Sequence, residues 1–118
     1  VIVGHRDEAL KPQWFQILLS VADGSLHGQA IMEEVLERTE GAVRLWPGAL
    51  YGSLAELSEL GWIRETSAPA GAPTEGGRRR FWTITPAGRA ELRAEVEKME
   101  SYVRAARSKR VLKGTSHA

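Results

Sequence analysis

The chain has 118 residues, 42% of them hydrophobic, a length that supports one compact core and not two. It contains no cysteine, which excludes disulfides, thiolate metal sites and a cysteine nucleophile and suits a cytoplasmic protein. The formal charge is only +1, yet its sign changes along the chain: three Lys/Arg stand against seven Asp/Glu in 1–40, six against four in 41–90, and seven against four in 91–118.

After an N-terminal arm, 1–11, the segment "KPQWFQILLSVAD" sets Trp14, Ile17, Leu18 and Val21 on one helical face, and Phe15, Leu19 and Ala22 add a second apolar stripe. A helix this apolar is expected to be covered on two sides, by its own core and by a second subunit. "DGS" at 23–25 is a turn, and Ser25 is placed to cap a second helix through "LHGQAIMEEVLERTE", which Gly41 ends. Ile31, Val35 and Leu36 are its core candidates, while Glu33, Glu34 and Glu37 face water. The third helix opens at Pro47, a residue favoured at the first helical position, and closes at Gly61, a left-handed stop. Leu50, Leu54, Leu57 and Leu60 form its buried stripe.

"WIRET" (62–66) and "RRRFWTIT" (78–85) are rich in β-branched and aromatic residues and flank the Pro/Gly-rich "SAPAGAPTEGG", a pattern that predicts a hairpin with a long loop. Thr85 and Pro86 then read as the cap and first-turn proline of a last helix running to about residue 110. On it Leu92, Val96, Met99, Val103 and Ala106 alternate steps of four and three, the period of a coiled-coil seam. A seam needs a partner, and a homodimer is the expectation. Residues 111–118 are left as a flexible tail.

These parts predict a mainly α chain with a small β-hairpin: a winged helix-turn-helix over 12–85, built to bind double-stranded DNA, followed by a dimerisation helix over 86–110. On a helical wheel with Leu50 at zero, steps of about 100° put Gly48, Gly52, Ala55 and Glu59 opposite the leucines. Ala49, Ser53 and Glu56 lie on one flank, Tyr51 and Ser58 on the other. Small residues let a helix backbone approach a surface closely, and a major groove is wide enough to admit a helix. Tyr51 and Ser53 would supply hydroxyls to a phosphate or a base edge. No side-chain cap precedes Pro47, so the first N–H groups of this helix are open to a phosphate. The competing explanation is that Gly48 and Gly52 only allow close packing against another helix.

Arg78, Arg79 and Arg80 follow the loop at the base of the hairpin, beside the groove helix. Strand alternation sends Arg78 and Arg80 to one face and Arg79 to the other, so at most two grip one backbone together. A solvated basic edge that deters strand pairing is the alternative.

Enzymatic groups are missing. His5, His27 and His117 have no second histidine at helical ligand spacing, and no phosphate-binding glycine loop occurs, so no catalytic residue, metal or cofactor is expected. No apolar run is long enough for a membrane partner, and the N-terminus lacks the pattern of a signal peptide. The rival reading is a winged-helix protein–protein interaction module without specific DNA binding, since fold does not fix function.

"HGQAIMEEVLERT", "PGALYGSLAELSELGWI" and "GGRRRFWTITPAGRAEL", in this order and spacing across roughly residues 14–106, resemble the PadR family of bacterial transcriptional regulators. The resemblance implies a homodimer, held by the C-terminal helices with Phe15 and Leu18 of the first helix, that binds a palindromic operator, represses, and is released by a small aromatic or hydrophobic effector. Carried over by position, Tyr51 is the tyrosine of the "LYG" element, and Arg78, Arg79 and Arg80 are wing cations. His27 of "HG", with Ser25 two residues before it, matches a family position near the start of the second helix where the resemblance implies a phosphate contact; a histidine that hydrogen-bonds at the helix end is the alternative. The chain departs from the family pattern at Ala49, where a Thr or Ser is common, at Gln29, where a Tyr commonly follows "HG", and in the wing loop, whose only formal charge is Glu75. Some small members bind planar ligands using a Trp on the last helix. This chain has Tyr102 and Met99 there, and Trp14 on the first helix is the next aromatic candidate, with simple core or interface packing as the alternative for it.

Overall fold

The computed structural model of the chain describes residues 10–71 and 80–113. The elements run α1 (Pro12–Ser20), β1 (Leu26–His27), α2 (Gly28–Arg38), α3 (Pro47–Glu59), β2 (Ile63–Thr66), β3 (Phe81–Ile84) and α4 (Pro86–Ser108). The three strands make one antiparallel sheet in the order β1-β3-β2, with Leu26 opposite Trp82 and Glu65 opposite Trp82 on the other side.

Strand β1 is the one element that periodicity misses. Two residues of extended chain pair with β3 where the sequence predicts the start of the second helix. The cap moves with it: His27, not Ser25, is the N-cap of α2, and its Nδ1 accepts the Ala30 N–H at 3.2 Å. Ser25 stays in the half-buried stretch before β1. At its far end α2 stops through two left-handed residues, Glu40 (φ 53°) and Gly41 (φ 86°), as the Gly41 N–H turns back to the Leu36 carbonyl. Thr39 Oγ1 locks the turn that follows, donating to the Val35 carbonyl and accepting from the Val43 N–H.

The core is one cluster. Ile17, Leu18 and Val21 of α1 and its C-cap meet Ile31 and Val35 of α2, Leu50, Leu54 and Leu57 of α3, and Trp82 of β3. Truncating one of these fully buried aliphatics to alanine costs about 2–5 kcal/mol, a large share of a small domain's stability. Arg38 fastens α2 to α1 at the surface, donating to the Gln16 carbonyl and to Ser20 Oγ while pairing with Glu34.

Helix α3 ends as its glycine demands. Gly61 is left-handed at φ 80°, the Trp62 N–H returns to the Leu57 carbonyl and the Gly61 N–H to the Ser58 carbonyl. The helix therefore stops at Glu59, and Leu60 turns out to solvent instead of completing the buried stripe. Thr85 joins this corner to α4: its Oγ1 donates to the Gly61 carbonyl and accepts from the Gly88 N–H, capping α4. Gly88 lies against the Trp62 carbonyl so closely that a Cβ there has no room.

The expected seam on α4 divides. Leu92 is buried in the chain's own core, so it leaves the list of dimer contacts, whereas Val96, Met99 and Val103 are each 40% exposed. Leu18, expected at the same interface, is fully buried between α1 and the rest of the core and cannot meet another subunit. Phe15 is only partly covered.

Candidate nucleic-acid interface

Helix α3 presents the face that the sequence singles out. Gly48, Ala49, Gly52 and Ala55 are exposed, and a Cβ built at Gly48 or Gly52 meets nothing within 4 Å among the described residues. Close packing against the described residues is therefore not what these glycines serve. Ser53 does not join them: it is 4% exposed, because its wheel position lies nearer the leucine stripe than the glycine face. Its hydroxyl is withdrawn from any surface contact.

Tyr51 is 42% exposed and braced from two sides. Its ring stands edge-on to Trp82 at 6.0 Å, and its hydroxyl end occupies the space where residue 28 would carry a Cβ. Gly28 and Tyr51, twenty-three positions apart, are thus one local arrangement: the glycine opens α2 so that the tyrosine can lie across its first turn. His27 is held beside them, edge-on to Phe81 at 5.4 Å with Nδ1 committed to the cap.

Across a cleft of about 400 Å³ from Tyr51, Ala55 and Ser58 lies the hairpin, contributing Arg64, Glu65, Arg80 and Trp82. Arg80 Nε and Nη2 donate to the two carboxylate oxygens of Glu65, both at 3.0 Å, and the guanidinium stands 4.9 Å from the Trp82 ring. The register explains the group, since Glu65 is directly opposite Trp82 and Arg80 precedes Trp82 by two residues on the same strand face. The Arg80 hydrogen bond holds the Glu65 carboxyl below the usual carboxylate range, and the same bond raises the already high guanidinium pKa. Arg78 and Arg79, with Glu75 and the rest of the loop tip, lie outside the described residues.

Sequence reasoning missed Glu65 as a partner and Trp46 and Arg44 as surface. Trp46, the N-cap of α3, makes no side-chain capping bond and is 64% exposed, with the Arg44 guanidinium 5.1 Å from its ring. A signal for Glu65 was present in the alternation of the hairpin; none marked Trp46 as exposed. Trp14 corrects the effector expectation. It is buried, edge-on to Trp62 at 5.8 Å, and its indole N–H donates to Glu56 at 3.1 Å, so it serves the core and offers no ligand platform. Tyr102 and Met99 on α4 are exposed. Among the described residues no group of three His, Asp or Glu could hold a metal, and no helix is long and apolar enough to cross a membrane.

A helix-turn-helix whose third helix lies beside a small antiparallel sheet, followed by a long helix, defines a winged-helix protein. The sequence profile of the Transcriptional regulator PadR-like family matches residues 17–94, and the chain belongs to that family. Among curated proteins, one from Streptomyces fradiae described as "Uncharacterized 37.1 kDa protein in transposon TN4556" is 41% identical over 83 residues. That alignment takes in 70% of this chain but only 21% of the relative, so the chain spans about a fifth of its length. Among solved structures, a transcriptional regulator from Clostridium thermocellum superposes with a TM-score of 0.63 at 21% identity, covering 80% of this chain and 86% of that one. A PadR family regulator from Clostridium difficile gives 0.62 at 21%, covering 80% and 96%. Bacillus subtilis PadR in complex with operator DNA gives 0.61 at 21%, covering 73% and 47%. At these identities the likeness establishes the fold.

Proposed function

We propose that the chain is a cytoplasmic, sequence-specific DNA-binding repressor that grips a palindromic operator as a homodimer. The winged helix of 12–85 reads the DNA and the helix of 86–110 pairs the two copies. The observation that carries this reading is the bare face of α3: Gly48, Ala49, Gly52 and Ala55 are exposed with no neighbour among the described residues to account for the glycines, between a braced Tyr51 and a wing arginine. Such a face lets the backbone approach a groove closely while Tyr51 and the wing cations hold phosphates. The family relationship and the operator complex of Bacillus subtilis PadR support it.

Val96, Met99, Val103 and the half-buried Ala106 supply the pairing surface on α4, with Phe15 adding to it. Tyr102 and Met99 lie on that same helix and give a small hydrophobic effector its place, where binding would alter the spacing of the two winged helices. His27 and the wing cations Arg78 and Arg79 contribute phosphate contacts.

Fluorescence-anisotropy titration against the protein's own upstream DNA and against random DNA, at two salt concentrations, tests the reading. Each phosphate neutralised steepens the dependence of log K on log salt by about 0.9, so binding should be selective and fall sharply with salt. Weak binding, equal for both fragments and indifferent to salt, would overturn it in favour of a protein-binding winged helix.

A further inference from the structure

The pairing of Arg80 with Glu65 is at odds with a simple wing cation, because a carboxylate beside a phosphate-binding arginine adds repulsion where attraction is needed. The geometry explains its presence. Both Glu65 oxygens are taken up by Nε and Nη2 of Arg80, the guanidinium is set 4.9 Å from the Trp82 ring, and Nη1 makes no hydrogen bond among the described residues. A guanidinium is a planar fork that can serve one acceptor on its Nε edge and a second on its Nη1/Nη2 edge at once. The edge left over belongs to a residue that lines the cleft facing Tyr51, Ala55 and Ser58 of α3.

Resting on the DNA-binding reading above, we propose that Glu65 is a positioning residue for Arg80: carboxylate and indole ring fix the guanidinium so that its unused edge receives a backbone phosphate of DNA lying against α3. A long exposed side chain loses its rotamer freedom when it grips a phosphate, and here that freedom is lost before DNA arrives. Both partners are charged at neutral pH, where a carboxyl in or below the ordinary range is ionised. Two opposed effects of Glu65 are separable by chemistry. Glutamine keeps an acceptor oxygen for the guanidinium and removes the charge; alanine removes both.

The experiment is operator and random-DNA titration of wild type, Glu65→Gln, Glu65→Ala, Arg80→Ala and the double variant Glu65→Ala/Arg80→Ala, with thermal melts to show that each is folded. Glu65→Ala should lose about three- to tenfold in operator affinity, the cost of immobilising one such side chain. Glu65→Gln should stay within about twofold of wild type, and Glu65→Ala should have no further effect once Arg80 is alanine. Tighter binding by Glu65→Ala would show that the carboxylate only repels DNA. An effect that persists in the Arg80→Ala background would show that Glu65 acts elsewhere; either result overturns the proposal. A wild type that binds neither fragment refutes the DNA-binding reading and this inference with it. A wild type that binds while the Glu65 variants match it refutes the role of Glu65 alone.

Discussion

Replacing Gly52 by leucine separates the demands of the fold from those of the proposed groove. Within the chain an added side chain at this position enters open space, with nothing inside 4 Å of the Cβ among the described residues. Glycine in a helix interior is about 0.8–1.0 kcal/mol less favourable than alanine, and leucine ranks close to alanine. Gly52→Leu should therefore stabilise the protein by about 0.5–1 kcal/mol and raise the melting temperature by about 2–6 °C for a chain of this size. On the DNA side the same side chain stands between the helix backbone and the groove wall, holding off Tyr51 and Arg80 together. Operator affinity should fall at least tenfold or so, the scale of losing one charge-assisted contact. The assay is a thermal melt beside an anisotropy titration, with Gly52→Ala as the graded intermediate. A fall in melting temperature would mean that α3 packs against something at this face. Unaltered affinity with raised stability would mean that another face of α3 enters the groove.

At Gly28, alanine should push Tyr51 off its site: the melt should move little, because a gain of about 0.4–1 kcal/mol from restricting the unfolded chain offsets the lost Tyr51–Trp82 contact, while DNA affinity falls. With Tyr51 already alanine the same substitution should raise the melt, and a fall there would place the clash on Leu50. Gly88→Ala should be destabilising by about 1–3 kcal/mol despite alanine's helix preference, since the Cβ meets the rigid Trp62 carbonyl; an unchanged melt would refute that packing. Val96→Glu with Met99→Glu should convert a dimer to a monomer on a sizing column with light scattering while leaving the winged-helix melt nearly unaltered, because both side chains are substantially exposed in the single chain. Because Arg80 lowers the Glu65 pKa, the stability this pair contributes is fully present above the ordinary carboxylate range and is lost only as pH falls through the depressed folded value. Operator affinity should accordingly show no step from Glu65 around neutral pH, and the pair should open only below the ordinary carboxylate range, readable from the Arg80 side-chain N–H signals by NMR.

What was legible in the sequence is what local chemistry decides. Pro47 and Gly61 mark α3 to within two residues, and Thr85 with Pro86 marks the start of α4, because a fixed φ, a left-handed stop and a capping hydroxyl each act within one turn. What escaped depends on partners distant in the chain. Residues 26 and 27 become a strand only because β3 lies beside them, and that pairing makes His27 the cap where Ser25 was expected. Ser53 sits about 60° from the leucine stripe on the wheel, and whether such a flank is wet is decided by what packs there, not by the helix. Leu92 shows the same limit from the other direction: a seven-residue rhythm does not say whether an apolar side chain meets its own core or a second copy.

Among the described residues the site has few groups that could read bases. Ala49, Gly52 and Ala55 carry no donor or acceptor on their side chains, Ser53 is buried, and Arg80 is held at the hairpin. On the proposed reading Tyr51 is left as the main polar probe on α3, flanked by Ser58. Phosphate contacts then position the protein but cannot by themselves discriminate one sequence from another. Selectivity would have to come from how closely a given DNA lets the helix backbone and the braced wing seat together, which depends on groove width and deformability at positions that no side chain touches. The fixed geometry of Tyr51 on Gly28 and of Arg80 on Glu65 suits that mode, since a rigid template penalises DNA of the wrong shape where a flexible one would adapt to it.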